Sequence, residues 1–373
     1  MRTSAIFVWA LGLLLGAPAP QSAGAEPKPV LQSIRRENYP CTIHVIKVPR
    51  TRQFEFRSLH ADGKALGLES LSGQMKHANG EKFLAAINGD FYVRQGPYEG
   101  DPRGLQMVRG EMISAPSGGA SFWIDASDQP HTGITTSKLR VELPDGSNTP
   151  IELNAPGEDN TVVLYTPTAA TEIRSRGSEL ILERDGASQW LPLKPGRILT
   201  ARVREVKKGG RVQIAPDVMV LSFGRRAKVP ALAKGATLKI NTETEPGLRG
   251  VSEAISAGPV LVREGKRVPV KAPKSDSYVF SSMTESHPRS AIGWNDEFYF
   301  LVSVDGRKPD SVGLSLDELS RELIKLGCTD AMNLDGGGSA TLWFEGKIRN
   351  YLCDGYERKI ANGLGVVELT EKK

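Results

Sequence analysis

The sequence predicts an α+β fold that is rich in β structure, with mixed sheets and few helices. Three observations carry this. Short runs alternate or stay apolar over a strand's length, only two segments show a helical period, and 39 Gly and 24 Pro among 373 residues are spread between the runs as turn formers.

Thr42 to Val48 and Gln53 to Leu59 are short β-type runs. Leu199, Ala201 and Val203 alternate with Thr200, Arg202 and Arg204, as in a half-buried strand, and Leu238 and Ile240 repeat the pattern. Val162 to Tyr165, Val218 to Phe223 and Phe298 to Val304 are continuously apolar, which places them as strands buried on both faces. One helix falls loosely between Leu66 and Asn79. The other, Leu316 to Leu326, is sharply marked: Ser315 and Glu318 form a capping box, Leu316, Leu319, Leu323 and Leu326 trace one face, and Gly327 offers a left-handed stop. Residues from about 125 to 250 are almost purely strand and turn and suggest a β-rich lobe within a domain spanning 42–373.

The N-terminus carries Arg2, an apolar run from Ala5 to Leu15 and small residues ending at Ala25, the layout of a cleavable secretory signal over residues 1–25. A secreted or periplasmic location is expected, without stable membrane insertion once the signal is removed, since the run is shorter than the ~20 residues a spanning helix needs. Residues 26–41, with three Pro, read as an extended leader. Without Arg2 the chain carries 47 bases against 43 acids, scattered rather than clustered, so no nucleic-acid partner is indicated. Three cysteines permit at most one internal disulfide. Cys328 and Cys353 flank the most Gly-rich motif and are the pair to expect, the alternative being three buried thiols.

Three segments carry candidate chemistry. Asn333 to Thr341 reads NLDGGGSAT, where Gly336, Gly337 and Gly338 could turn successive amides toward an anion between Asp335 and Ser339; a tight turn capped by its own Asp explains the same residues. Ala86 to Tyr92, AINGDFY, brings Asn88 and Asp90 to the end of an apolar run, as an Asn-Gly hairpin turn also would. His287 to Trp294, HPRSAIGW, sets His287 and Arg289 around a proline ahead of the strand ending SVDGR at Arg307; a solvated His and Arg on a loop is the plainer reading. No GxSxG, HExxH, P-loop, EF-hand or GxGxxG pattern occurs.

In order and wording these segments, with VVLYTP at 162–167, AISAGPVLVREGK at 254–266, GLSLDELSRELIKLGCTDAMNLDGGGSATLW at 313–343 and IANGLGVV at 360–367, resemble the phosphodiester glycosidase family. The family's commoner wording has a small residue where this chain has Asp90. The resemblance implies a hydrolase acting at the anomeric carbon of a glycosyl-1-phosphodiester, with a phosphate-containing glycan as partner; the residues themselves show no cofactor motif and no metal cluster of His and Asp. In such chemistry Asp335, or else Asp90, serves as the carboxylate that assists attack, and His287, Arg289, Arg307 and the Gly336–Gly338 amides face the phosphate. Asn88, Asn333 and Ser339 orient sugar or phosphate. A non-catalytic cell-wall or exopolysaccharide binding protein and a phosphodiesterase cutting P–O are the alternatives.

Overall fold

A computed structural model describes residues 28–369 apart from 37–38, 62–66, 79, 97, 170–171, 188 and 272–277. The expected signal, residues 1–25, lies outside the described residues. Strand accounts for 47% of the structure and helix for 8%, which fixes the β-rich α+β class.

Two sheets position the candidate site. The first has seven strands in the order Val30–Arg36, Cys41–Pro49, Phe298–Val304, Arg289–Trp294, Asp330–Leu334, Val260–Arg263 and Lys266–Arg267. Phe298–Val304 and its neighbour Arg289–Trp294 are almost wholly buried, as continuous apolar runs require. On one face Leu316, Leu319 and Leu323 of the helix Leu316–Lys325 pack against Ala291, Val302 and Ala331. On the other, Ile292, Leu301 and Met332 meet Ile87, Phe122, Leu342 and Leu364 from two neighbouring sheets. One of these is the second positioning sheet, ordered Lys347–Ile348, Leu342–Phe344, Phe83–Asn88, Asn362–Glu368 and Phe54–His60. The layers are thus helix, sheet, sheet, with apolar contacts on both faces of the central sheet.

An eight-stranded sheet is built wholly from residues 140–241, and six strands between 106 and 257 form a fourth sheet. Pairing is antiparallel among the described strands except where Glu152–Leu153 runs parallel to Val162–Tyr165.

The capping box is present in full: Glu318 N–H donates to Ser315 Oγ at 3.3 Å, and Ser315 N–H to Glu318 Oε2 at 2.8 Å. Gly327 takes a left-handed φ of 95°. The loosely placed helix is a single short piece, Leu71–His77, capped by Ser70, and a third helix, Tyr278–Thr284, has no counterpart in the sequence reading. The leader is extended but not detached, because Val30–Arg36 pairs along its length with Cys41–Pro49 while Leu31 and Ile34 pack on the core.

The cysteines correct the disulfide expectation: Cys41, Cys328 and Cys353 are all free. Cys328 precedes the strand Asp330–Leu334 and is buried near Gly293, whereas Cys353 lies beside Arg307, which leans on the turn after that strand. Five strand residues, about 16 Å at ~3.3 Å each, therefore separate their surroundings, beyond the ~7 Å that a disulfide bridges between Cα atoms.

Candidate active site

Two strand ends meet at the site. Ser290 pairs with Leu334 across the first sheet, and Asn88 pairs with Gly363 across the second, so Asp335 stands one residue and Asp90 two residues beyond a strand terminus. Asp335 N–H donates to Gly89 O at 2.9 Å and welds the two ends together. Asn88 completes the junction. Its Nδ2 donates to Asp335 O at 2.6 Å, and its Oδ1 accepts from Ser290 Oγ at 2.6 Å and from Thr341 N–H at 3.0 Å. Every polar atom of the buried amide is occupied, so Asn88 holds the two loops in place rather than facing a ligand.

Asp90 and Asp335 are both buried and lie close enough to sense each other's charge. Asp90 is fixed by its own N–H donating to Asn362 Oδ1 at 2.7 Å and by Phe91 N–H donating to its Oδ1 at 2.8 Å. Its Oδ2 is buried and makes no close hydrogen bond among the described residues, although the Gly104 amide is near enough to favour its charge. Burial, with Asp335 adding to it, pushes the Asp90 carboxyl up to about 8. Burial also raises Asp335, but Ser339, Arg94, the Gly336 amide and Arg358 pull it back to about 6. Near neutral pH the pair therefore holds one proton, on Asp90, with Asp335 ionised.

Cations surround this pair. Arg94, exposed, and Arg358 both act on Asp335 and on the Tyr92 phenol. Asp354 fixes Arg358 through Nε and Nη2 at 2.9 and 2.6 Å. Arg307 is exposed and lies against the glycine turn. His287 sits near Arg289 and Arg307; burial first, then those two charges, depress its pKa, so the ring is neutral near pH 7.

The glycines of the turn are there for packing. Gly337 has φ +60°, and a Cβ on it would lie 3.2 Å from Arg307 Nη2, while one on Gly338 would lie 1.9 Å from Arg358 Nη2. Two amides of the turn are engaged within the protein, Gly336 N–H donating to Asp335 Oδ1 and Gly337 N–H to Pro288 O, both at 2.9 Å. Arg289 is likewise buried, donating from Nε to Leu314 O at 2.7 Å and from Nη2 to Glu285 O at 2.8 Å; it ties two loops behind the site. Asn333 donates from Nδ2 to Gly258 O at 2.9 Å and secures the loop at Pro259. Ser339 faces inward, its buried hydroxyl turned to Asp335 and Tyr92.

The structure therefore brings together Asp90, Asp335, Ser339, Arg307 and His287, while Asn88, Arg289 and Asn333 bond the loops around them and Asn333 Oδ1 stays buried without a hydrogen bond among the described residues. Sequence reasoning missed Tyr92, Arg94, Arg358 and Asn362. Tyr92 ends the AINGDFY run, Arg94 lies two residues beyond it, and Asn362 lies within IANGLGVV, so position in or beside a motif was the available signal. Arg358 has none.

Residues 200–367 match the phosphodiester glycosidase family, a span that includes Arg289, Arg307, Asp335 and Arg358 but not Asp90 or Arg94. Over 120 residues, 32% of this chain, the sequence is 32% identical to the SPbeta prophage-derived uncharacterized protein YomE of Bacillus subtilis (strain 168). Over 154 residues, 40% of this chain, it is 27% identical to N-acetylglucosamine-1-phosphodiester alpha-N-acetylglucosaminidase of Bos taurus. These matches span only 18% and 29% of the two relatives' lengths. A hypothetical protein from Synechocystis shares the fold with a TM-score of 0.73 at 20% identity, over 91% of this chain and 61% of its own.

Proposed function

We propose, taking the phosphodiester glycosidase domain at residues 200–367 as the premise, that this protein hydrolyses a glycosyl-1-phosphodiester at its anomeric carbon. The observation that supports this most directly is the pair of buried carboxyls whose pKa values are pushed apart, set among guanidinium groups. Ionised Asp335 assists attack at the anomeric carbon, as nucleophile or as base for water. Protonated Asp90 donates a hydrogen bond from its Oδ2 edge to the departing phosphate or to a sugar hydroxyl. The phosphate monoester released by C–O cleavage leaves as a weak base, so this donor assists departure without having to transfer its proton fully. Arg94 and Arg358, with Arg307 at the rim, offset the charge that develops on the phosphate. Neutral His287 contributes a hydrogen bond rather than a charge.

The relative from Bos taurus acts, by its name, on an N-acetylglucosamine-1-phosphodiester, which makes that sugar the first to test here. A cell-surface or extracellular glycan reached by export under the N-terminal signal completes the proposal. The test is incubation with glycosyl-1-phosphodiesters in water carrying heavy oxygen. Label in the released sugar supports C–O cleavage. Label in the phosphate shows P–O cleavage, and no turnover of any member of the panel leaves a binding protein.

A further inference from the structure

A cavity of about 1110 Å3 opens in the eight-stranded sheet, away from Asp90 and Asp335, which do not line it. It is slightly larger than the ~300–1,000 Å3 usual for ligand clefts. Its charges cancel. Arg225 holds Asp159 through two bonds of 2.9 and 2.8 Å, Arg211 pairs with Glu172 at 3.5 Å, and the remaining lining charges, Arg174 and Glu158, are one of each sign. A balanced lining gives no net attraction to a polyanion or a cation. Fixed ion pairs instead present donors and acceptors side by side, which suits vicinal hydroxyls.

One wall is aromatic. Tyr98 is half-buried and stacks on Tyr165 with centroids 6.4 Å apart and planes within 16°. The two hydroxyls are 3.0 Å apart, and Tyr165 gives its own proton to Ala155 O at 2.9 Å, so Tyr98 is the donor between them. That bond pins the Tyr98 ring before any ligand arrives, which lowers the ordering cost of binding. Tyr98 belongs to the loop 91–103, folded back on itself by bonds from Gly100 N–H to Val93 O at 2.8 Å and from Arg103 N–H to Phe91 O at 2.9 Å. The loop begins at Asp90. Eight residues span at most ~29 Å, so the cleft and the carboxyl pair lie within reach of one short glycan chain.

We infer that this cleft is an accessory subsite for a neutral, hydroxyl-rich saccharide segment, with Tyr98 as its stacking surface and the Arg225–Asp159 pair as its hydrogen-bonding edge. Its purpose, which rests on the hydrolase reading above, is to hold a polymeric substrate while a glycosyl phosphodiester further along reaches Asp335.

The test titrates the full chain with two probes, chitotetraose and maltotetraose, by ligand-detected NMR. At least one probe is expected to bind, equally well to Asp335→Asn. Binding should weaken about tenfold or more in Tyr98→Ala and in Arg225→Ala, and by less than about threefold in Tyr98→Phe, which keeps the ring. Failure of both probes to bind, or unchanged binding to Tyr98→Ala and Arg225→Ala when both are folded, overturns the subsite. Because binding is read without turnover, a chain that binds but hydrolyses nothing would refute the hydrolase reading and leave the cleft standing. In an active chain, Tyr98→Ala should lower kcat/KM on a polymeric phosphodiester while leaving a one-sugar substrate within about twofold.

Discussion

At Asp335 the carboxylate stands where two strand ends are tied together, and its charge interacts with Arg94 and Arg358. If it assists attack, Asp335→Asn lowers kcat by at least ~100-fold with KM nearly unchanged, whereas Arg94→Ala raises KM as well, because phosphate is held in the ground state too. Steady-state constants on one cleavable glycosyl phosphodiester check this; a near-normal kcat in folded Asp335→Asn would remove it from the mechanism. The two carboxyls also set a pH window. Activity needs Asp335 ionised, above about 6, and Asp90 protonated, below about 8, so kcat/KM should form a bell between those limits. Stability carries the opposite signature of a salt-bridged acid. The folded pKa of Asp90 lies above its unfolded value, so the native state keeps a proton that the unfolded chain releases, and stability falls as pH rises from about 4 to about 8. Asp90→Asn abolishes that loss. Its melting temperature should match the parent near pH 4 and exceed it increasingly toward pH 8, reflecting a gain on the order of a few kcal/mol. A constant difference across that range would show that Asp90 does not titrate as described.

The elements that deliver these residues are marked to different degrees. The helix Leu316–Lys325 has its start, face and stop written locally, and Ser315→Ala should cost about 1 kcal/mol in urea unfolding through the lost cap. Arg289 looked like a phosphate ligand from its place beside His287, but its guanidinium supports the carbonyls of Leu314 and Glu285. Arg289→Ala should therefore act mainly on stability, by about 1–3 kcal/mol, since it removes a buried guanidinium together with its bonds to Leu314 O and Glu285 O. A folded variant with unchanged stability and a raised KM would restore the phosphate role. The glycine turn teaches a similar lesson. Three glycines are needed whether amides bind an anion or neighbours crowd the backbone, and only the positions of Arg307, Arg358 and Pro288 show that crowding explains them.

Across the whole molecule, the three thiols report how the layers enclose the core. Cys41 and Cys328 are buried, and burial pushes them up to about 11 and about 12, whereas Cys353 is half-buried beside Arg307. Native protein should alkylate at Cys353 first, with Cys41 and Cys328 reacting only after unfolding; mass mapping that finds a Cys328–Cys353 link would contradict this arrangement. Among the described residues no helix is long and apolar enough to cross a membrane. The sequence by itself determined the β-rich class, the buried strands Val162–Tyr165 and Phe298–Val304, the capped helix, and the motifs that hold Asp90 and Asp335. Those features depend on period, capping and turn chemistry, which act over a few residues. Tertiary structure alone decided that Asp90 and Asp335, 245 positions apart, share a buried site. It also decided that Asn88 and Arg289 bond backbone carbonyls of the surrounding loops and that Arg358 acts on Asp335. Which atoms face a cleft, and how far burial moves a pKa, depend on contacts between distant segments, and no local pattern encodes them.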